Sequence, residues 1–211
     1  MEPMILEFKE PILFDGETFT RCDLSGLRGL TTAQLYAAQV QNGQSLTLSH
    51  MEGQNLRYAM TVAQMASGRP RGFFGQLKKE DGITLPHTVN RYLETEIAAH
   101  VTVDGQKLAF DKNVEGIGRE LDLRGLEGLV ADDYAAAQDE IPVDESANLT
   151  DLMSVKYACA LAAIASGVKL ESLMAAPFWV GASVRGLVML YFFEPGSGTE
   201  DGLEESGSET S

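Results

Sequence analysis

The first half of this chain recurs in its second half at a constant distance of 99 residues. Residues 23–30 return as residues 122–129, and three shorter identical groups return at the same distance: Ala37-Ala38-Gln39 with Ala136-Ala137-Gln138, Tyr58-Ala59 with Tyr157-Ala158, and Ala66-Ser67-Gly68 with Ala165-Ser166-Gly167. An accidental similarity would drift between separated blocks. The repeat predicts two tandem modules, residues 1–98 and 99–193.

The recurring residues are turn formers and small or apolar side chains. In the Gly-Leu-x-Gly-Leu segments, the glycines predict tight turns and the leucines predict core positions, with Leu27 and Leu126 as the central pair. The glycine spacing does not match a phosphate-binding loop, and no lysine follows it. What recurs therefore indicates shared packing rather than shared chemistry.

The local signals within each half predict a small hairpin followed by helices. Asp15-Gly16 predicts a tight turn between Ile12–Phe14 and Thr18–Thr20, and Asp104-Gly105 is read as its counterpart. Thr31 and Gln34 form a capping box at the start of a helix, whereas Val130 occupies that place in the second half. The first main helix is followed by predicted helices at about 53–67, 150–166, 86–99 and 177–193.

These signals predict an α+β fold, mainly α-helical, with about three helices after each hairpin. Matching Val89 to Val184 requires a shorter offset, which predicts an insertion in the first half within Arg69–Lys79. The Phe residues of Arg69–Phe74 are expected to fold back on the module, and the alternative is a docking loop for an acidic partner or for the chain's own acidic tail. Residues 194–211 contain six acidic residues and no lysine or arginine, which predicts a disordered acidic tail.

Charge and cysteine usage exclude several classes of protein. A formal net charge of -15 argues against a nucleic-acid partner, which requires clustered lysine and arginine. The apolar run 177–193 is interrupted by Arg185 and is shorter than the ~20 residues of a membrane span. No secretory signal is visible at the start, and Cys22 and Cys159 are expected to be buried free thiols in a reducing compartment.

The sequence shows no constellation of catalytic residues. His50, His87 and His100 do not stand at metal-ligand spacing from one another or from the cysteines. No nucleophile elbow, phosphate loop or dinucleotide fingerprint is present. We therefore expect a protein that is not an enzyme and that has no cofactor and no metal.

The order of these motifs resembles the tail assembly chaperones of Mu-like tailed phages. The resemblance is carried by Glu10–Phe19 and by the Leu-x-Gly-Leu-x-Gly-Leu entry to the helix, over residues 10–68 and less closely over 108–167. It implies a non-catalytic factor in the host cytoplasm that binds the tape measure protein during tail morphogenesis. Those chaperones commonly have one module and no acidic tail. The alternative class is a structural tail or neck adaptor of the phage particle.

The third predicted helix is polar in the first half and almost wholly apolar in the second. This difference identifies a candidate partner-binding surface consisting of Phe178, Trp179, Met189, Phe192 and Phe193. Three interpretations stay open: an interface between the modules, a homo-oligomer seam, or a groove for a client helix.

Overall fold

The computed structural model describes residues 3–42, 55–142 and 154–193. The protein is mixed α+β and mainly helical, as predicted. The first half contains β1 (Ile5–Phe14), β2 (Glu17–Asp23), α1 (Thr32–Gln41), α2 (Leu56–Ser67), α3 (Arg71–Phe74) and α4 (Lys79–His100). The second half contains β3 (Val101–Asp104), β4 (Lys107–Val114), β5 (Gly118–Asp122), α5 (Ala131–Asp139), α6 (Val155–Ser166), α7 (Leu170–Ala175) and α8 (Phe178–Phe193).

The first hairpin forms where the sequence predicts it. Ile12 lies opposite Phe19 in the antiparallel pair β1–β2. Asp15 and Gly16 have φ angles of 50° and 82°, the left-handed values that a two-residue hairpin turn requires. The pairing register shifts between Glu7 and Ile12. Pro11 falls within this irregular stretch, where its missing N–H does not interrupt a regular ladder.

The second half differs from the prediction in its strands. Asp104-Gly105 joins β3 to β4, so the turn is not the counterpart of Asp15-Gly16. The strand that matches β1 is β4. Their residues have the same order of buried and exposed positions, and the pairing of β1 with β2 has the same register shift as the pairing of β4 with β5. The matching buried residues are Leu6 with Leu108, Phe8 with Phe110, and Ile12 with Val114. The shared Asp-Gly letters misled the prediction, because β3 is an added strand that directly continues α4.

The repeated Gly-Leu segments form 3-10 turns at Ser25–Gly29 and Arg124–Gly128. Leu27 and Leu126 are 0% and 1% exposed, which confirms them as core residues. A Cβ on Gly26 would overlap the carbonyl oxygen of Ala66, and a Cβ on Gly125 would overlap that of Ala165. These two glycines therefore permit backbone contact with α2 and α6.

The helix starts differ between the halves as expected. Thr31 and Gln34 form the predicted capping box, in which the Thr31 hydroxyl accepts from the Gln34 N–H at 3.3 Å. Val130 offers no side-chain cap, and instead its own N–H donates to Asp133 Oδ2 at 2.9 Å. Only one of the two reciprocal hydrogen bonds therefore exists in the second half.

The recurring Ser-Gly pairs lie at the ends of helices. Gly68 and Gly167 have φ angles of 68° and 73° and end α2 and α6 in the left-handed conformation. Within α2, Ala59 and Ala63 are buried, but Leu56 is 41% exposed. Leu56 stands in the first turn of the helix, and its counterpart Val155 is buried against Tyr36 of α1.

The predicted third helix of the first half starts too late, and the predicted insertion is wrong. Helix α4 begins at Lys79 and contains Pro86 in its interior, although proline favours a helix start. Residues 68–78 separate α2 from α4, and the equal number 167–177 separates α6 from α8. Buried Val89 therefore corresponds to buried Val188 rather than to Val184. Matching Val89 to Val184 by residue type was misleading, because corresponding positions of the two helices share burial rather than residue type.

The core is shared by the two halves. One continuous apolar cluster contains residues from both, and α4 runs past position 98 to His100 before β3 begins. Cys22 and Cys159 are buried free thiols, as predicted, and burial raises the pKa of the Cys159 thiol to about 12. None of the described helices has the length and apolar character to cross a membrane. The predicted tail 194–211 lies outside the described residues.

Candidate partner-binding surface

The apolar helix α8 begins inside the protein. Phe178 and Trp179 are 0% and 1% exposed. The Trp179 ring lies 5.0 Å from that of His100 and 5.6 Å from that of Phe110, measured between centroids. The Trp179 side chain therefore packs between the end of α4 and β4. Phe178 and Trp179 are unavailable to an external partner, which corrects their assignment to a partner-binding surface.

The first turn of α8 is an interface between the halves. The Phe178 N–H donates to the Leu30 carbonyl at 2.9 Å. The Thr32 N–H and hydroxyl both donate to the Ala176 carbonyl, at 2.9 and 3.2 Å. A Cβ on Gly181 would overlap the Thr32 side chain, so this glycine permits the close approach of α1. The interface interpretation therefore holds for this end of the helix.

A buried cross-link supports the same interface further along α1. The N–H of Val155, at the start of α6, donates to Gln39 Oε1 at 3.1 Å. Tyr36 and Val155 are both buried and form a small apolar cluster of their own. Because an unpaired buried polar group is costly, this hydrogen bond fixes the register of α1 against the second half.

The last turns of α8 are exposed to a greater degree. Leu190 is 54% exposed, and Met189 and Phe192 are half-buried. The Phe192 ring packs edge-on against Tyr134 and Tyr191, with centroids 5.9 and 5.4 Å apart. We define Met189, Leu190 and Phe192 as the α8 end surface. Phe193 ends the helix, and its side chain lies outside the described residues.

Sequence reasoning missed Leu190. A helix that is apolar on every side gives no periodic signal for which residues face solvent. The distinction between buried Trp179 and exposed Leu190 depends on where α1 and α4 pack against α8. That information is tertiary, and the letters of α8 do not contain it.

The basic-aromatic segment 69–74 folds back on the first half, as the favoured interpretation predicts. Phe73 and Phe74 are buried in α3, and the Phe73 ring contacts those of Phe14 and Phe19 at 5.6 and 5.2 Å. The guanidinium carbon of Arg69 lies 4.6 Å from the centre of the Phe19 ring. The aromatic residues of this loop therefore serve the core.

His100 packs between two carboxylates and serves a structural role. Its Nδ1 lies 2.9 Å from Asp111 Oδ2, and its Nε2 lies 3.4 Å from Glu96 Oε2. The hydrogen bond with His100 is the main cause that lowers the pKa of Asp111. The histidine thereby connects α4 to β4 above the Trp179 ring. His87 is exposed on α4, and His50 lies outside the described residues.

Within residues 3–42, 55–142 and 154–193, no three His, Cys, Asp or Glu side chains are grouped so that they could hold a metal ion. No protein-family model, curated protein or solved structure matches this chain. The α8 end surface provides an apolar contact area at the end of a helix whose first turn is anchored in the core.

Proposed function

We propose that this chain is a phage tail assembly chaperone that binds the tape measure protein without catalysing a reaction. The observation that carries the proposal is the α8 end surface, in which an exposed Leu190 lies between half-buried Met189 and Phe192. Adjacent large apolar side chains at a surface are typical of sites that bind apolar partners. The family resemblance supplies the identity of the client, a long helical protein.

The charge of the chain supports the same role. A protein that holds an aggregation-prone helix in solution benefits from a large net charge, and this chain carries -15. We place the complex in the host cytoplasm, where the tail is assembled. Under this proposal the protein needs no cofactor and acts by binding its client stoichiometrically rather than by catalytic turnover.

Co-expression with the tape measure protein of the same phage tests the proposal. The wild-type chain is expected to keep the client soluble and to co-purify with it, whereas Leu190→Ser removes an exposed apolar contact and is expected to reduce recovery of the client. Leu13→Ser is the matched control, because Leu13 is 66% exposed on the tip of the first hairpin, away from α8. Equal client recovery with both variants would rule out the α8 end surface.

A second measurement separates a chaperone from a particle component. An assembly factor leaves the tail, so mass spectrometry of purified virions is expected to find at most traces of this chain. Peptides at a fixed stoichiometry in finished particles would instead favour the structural adaptor.

A further inference from the structure

The second half has a socket that the first half fills. We define the occupied socket as Val155, Ala176, Phe178 and Gly181, all of which are buried. Helix α1 enters it, packing on α6, α7 and α8, and places Thr32 against Gly181. Two backbone hydrogen bonds close the contact, from the Thr32 N–H to Ala176 and from the Phe178 N–H to Leu30.

The same place in the first half is open. The residues 99 positions earlier are Leu56, Leu77, Lys79 and Gly82, and they line a groove of about 620 Å³. Leu56 and Lys79 are exposed where their counterparts Val155 and Phe178 are buried. We define these four residues as the open socket. Its flanks are formed by Lys78, Ile83, Pro86 and His87.

Gly82 is the clearest sign that the open socket is built to be filled. Glycine weakens a helix interior, so its presence within α4 requires a reason. In the occupied socket, Gly181 has one, because a Cβ there would overlap Thr32. Among the described residues, a Cβ on Gly82 would meet only Leu56 Cδ2, at 4.0 Å. Both sockets therefore have a glycine, and within the described part of the chain only Gly181 has a close neighbour.

The segment that corresponds to α1 is α5, and its docking face is exposed. Thr32 and Tyr36 are buried in the occupied socket, whereas their counterparts Ala131 and Ala135 on α5 are exposed. Helix α5 packs on α6 of its own half. Because Ala131 and Ala135 remain exposed in that position, α5 does not fill the open socket of its own chain.

Charge distinguishes the open socket and α5 from the occupied socket and α1. Residues 55–92 contain six lysine or arginine residues and two acids, in a chain whose net charge is -15. Both acids turn towards β1, where Glu80 pairs with Lys9 Nζ at 2.8 Å and Asp81 accepts from the Lys9 N–H at 3.0 Å. Lys78 and Lys79 take part in none of the ion pairs among the described residues.

The helix that would enter the open socket has the opposite charge. Residues 125–142 contain five acids and no lysine or arginine, whereas the corresponding residues 26–43 contain one arginine and no acid. Residues 154–191, which correspond to 55–92, contain three lysine or arginine residues and one acid, so the occupied socket is the less basic of the two. The acidic helix and the more basic socket are the ones that remain. Opposite charge of this kind selects partners and speeds their encounter.

We propose that α5 of one chain docks into the open socket of a second copy, so that the chains associate head to tail. The contact joins two different surfaces, and each chain presents both, so assembly continues beyond the dimer into a ring or an open helical array. The start of α4 fits this role, because Lys78 provides no side-chain cap. The Lys79 N–H corresponds to the Phe178 N–H, which donates to Leu30 inside the chain. This proposal does not depend on the identity of the client.

Sedimentation velocity with two complementary variants tests the proposal. Gly82→Leu fills the open socket and leaves α5 intact, whereas Ala135→Arg blocks α5 and leaves the socket intact. Wild-type protein is expected to form species larger than dimers as concentration rises. Each variant alone is expected to be monomeric, and an equimolar mixture is expected to stop at a dimer. Raising NaCl from about 0.05 M to about 0.5 M should weaken that dimer by roughly tenfold or more.

Circular dichroism melts establish that the variants are folded, and Lys79→Glu is an independent socket variant at an exposed position should Gly82→Leu fail to fold. Ala98→Arg, an exposed alanine elsewhere on α4, is the matched control and should assemble as wild type. Monomeric wild-type protein at high concentration would overturn the proposal, as would assembly of both blocked variants. A wild-type chain that assembles only after residues 194–211 are removed would overturn it in favour of the chain's own tail as the occupant.

Discussion

Helices α4 and α8 occupy the same place in the two halves but have opposite chemical character. Helix α8 is apolar because α1 and α6 cover its beginning, whereas the corresponding surface of α4 is open and carries Lys79 and His87. Their inner positions are alike, since Leu85 and Val184 are both buried, as are Val89 and Val188. Corresponding inner positions of the two helices therefore stay apolar, whereas their outer surfaces differ according to what covers them.

The strongest test of this comparison concerns the shared core. Leu27→Ala and Leu126→Ala each remove a fully buried leucine and should each destabilise the protein by about 2–5 kcal/mol. Urea denaturation followed by circular dichroism measures the free energy of unfolding. Because one apolar cluster joins the halves, we expect a single transition for both variants. Two separate transitions would show that the halves unfold independently. Exposed Leu13→Ala should change little.

A smaller effect tests the repeated glycines. Gly26→Ala and Gly125→Ala place a methyl group against the carbonyl oxygens of Ala66 and Ala165 and should destabilise the protein by roughly 1–3 kcal/mol each. Gly29→Ala is the matched control within the same motif, because a Cβ there meets nothing within 4 Å. Equal losses at Gly26 and Gly29, measured by thermal melts, would contradict the close-packing role.

The helix starts offer a comparison with an expected gain. Thr31→Ala removes the capping hydroxyl of α1 and should cost about 1 kcal/mol. Val130→Thr introduces the missing hydroxyl at the start of α5 and should stabilise the protein by up to about 1 kcal/mol. Denaturant midpoints measure both changes. A loss at Val130→Thr would indicate that the exposed valine already has a packing role in the assembled protein.

The smallest expected effect is a pH dependence at the corresponding aspartates of the two halves. The hydrogen bond from Arg124 lowers the pKa of Asp122 to about 2, and the hydrogen bond from Ser25 lowers the pKa of Asp23. A lowered carboxyl pKa stabilises the fold above the unfolded value of about 3.9, and this contribution is lost as pH falls towards 2. Asp122→Asn should therefore flatten the stability profile only below about pH 4. Unchanged acid profiles would contradict this assignment.

Local signals in the sequence predicted much of the fold and less of the surface. The Asp15-Gly16 hairpin and the Thr31 cap follow from the backbone preferences of a few neighbouring residues, and the structure has both. The Asp104-Gly105 turn was assigned to the wrong strand pair, because two Asp-Gly turns have the same local signal whichever strands they join.

The partner-binding surface was only partly predictable for a different reason. Trp179 and Leu190 are both large apolar residues on one apolar helix, and the first is buried because His100 of α4 and Phe110 of β4 pack against it. The open socket gave no signal of its own, since Gly82 lies outside the helix predicted at about 86–99 and Leu56 is one apolar residue among several in its helix. Their meaning arises from comparison with Val155 and Gly181, which the repeat places 99 residues later.

A disulfide cross-link tests most directly whether the two sockets are equivalent. Ala131 and Gly82 correspond to Thr32 and Gly181, which are in contact inside the chain. Chains carrying Ala131→Cys are mixed with chains carrying Gly82→Cys, oxidised, and separated on a non-reducing gel. We predict a mixed disulfide dimer that forms faster than with exposed Val103→Cys in place of Ala131→Cys. Equal yields from the two pairings, or no mixed dimer, would contradict the account.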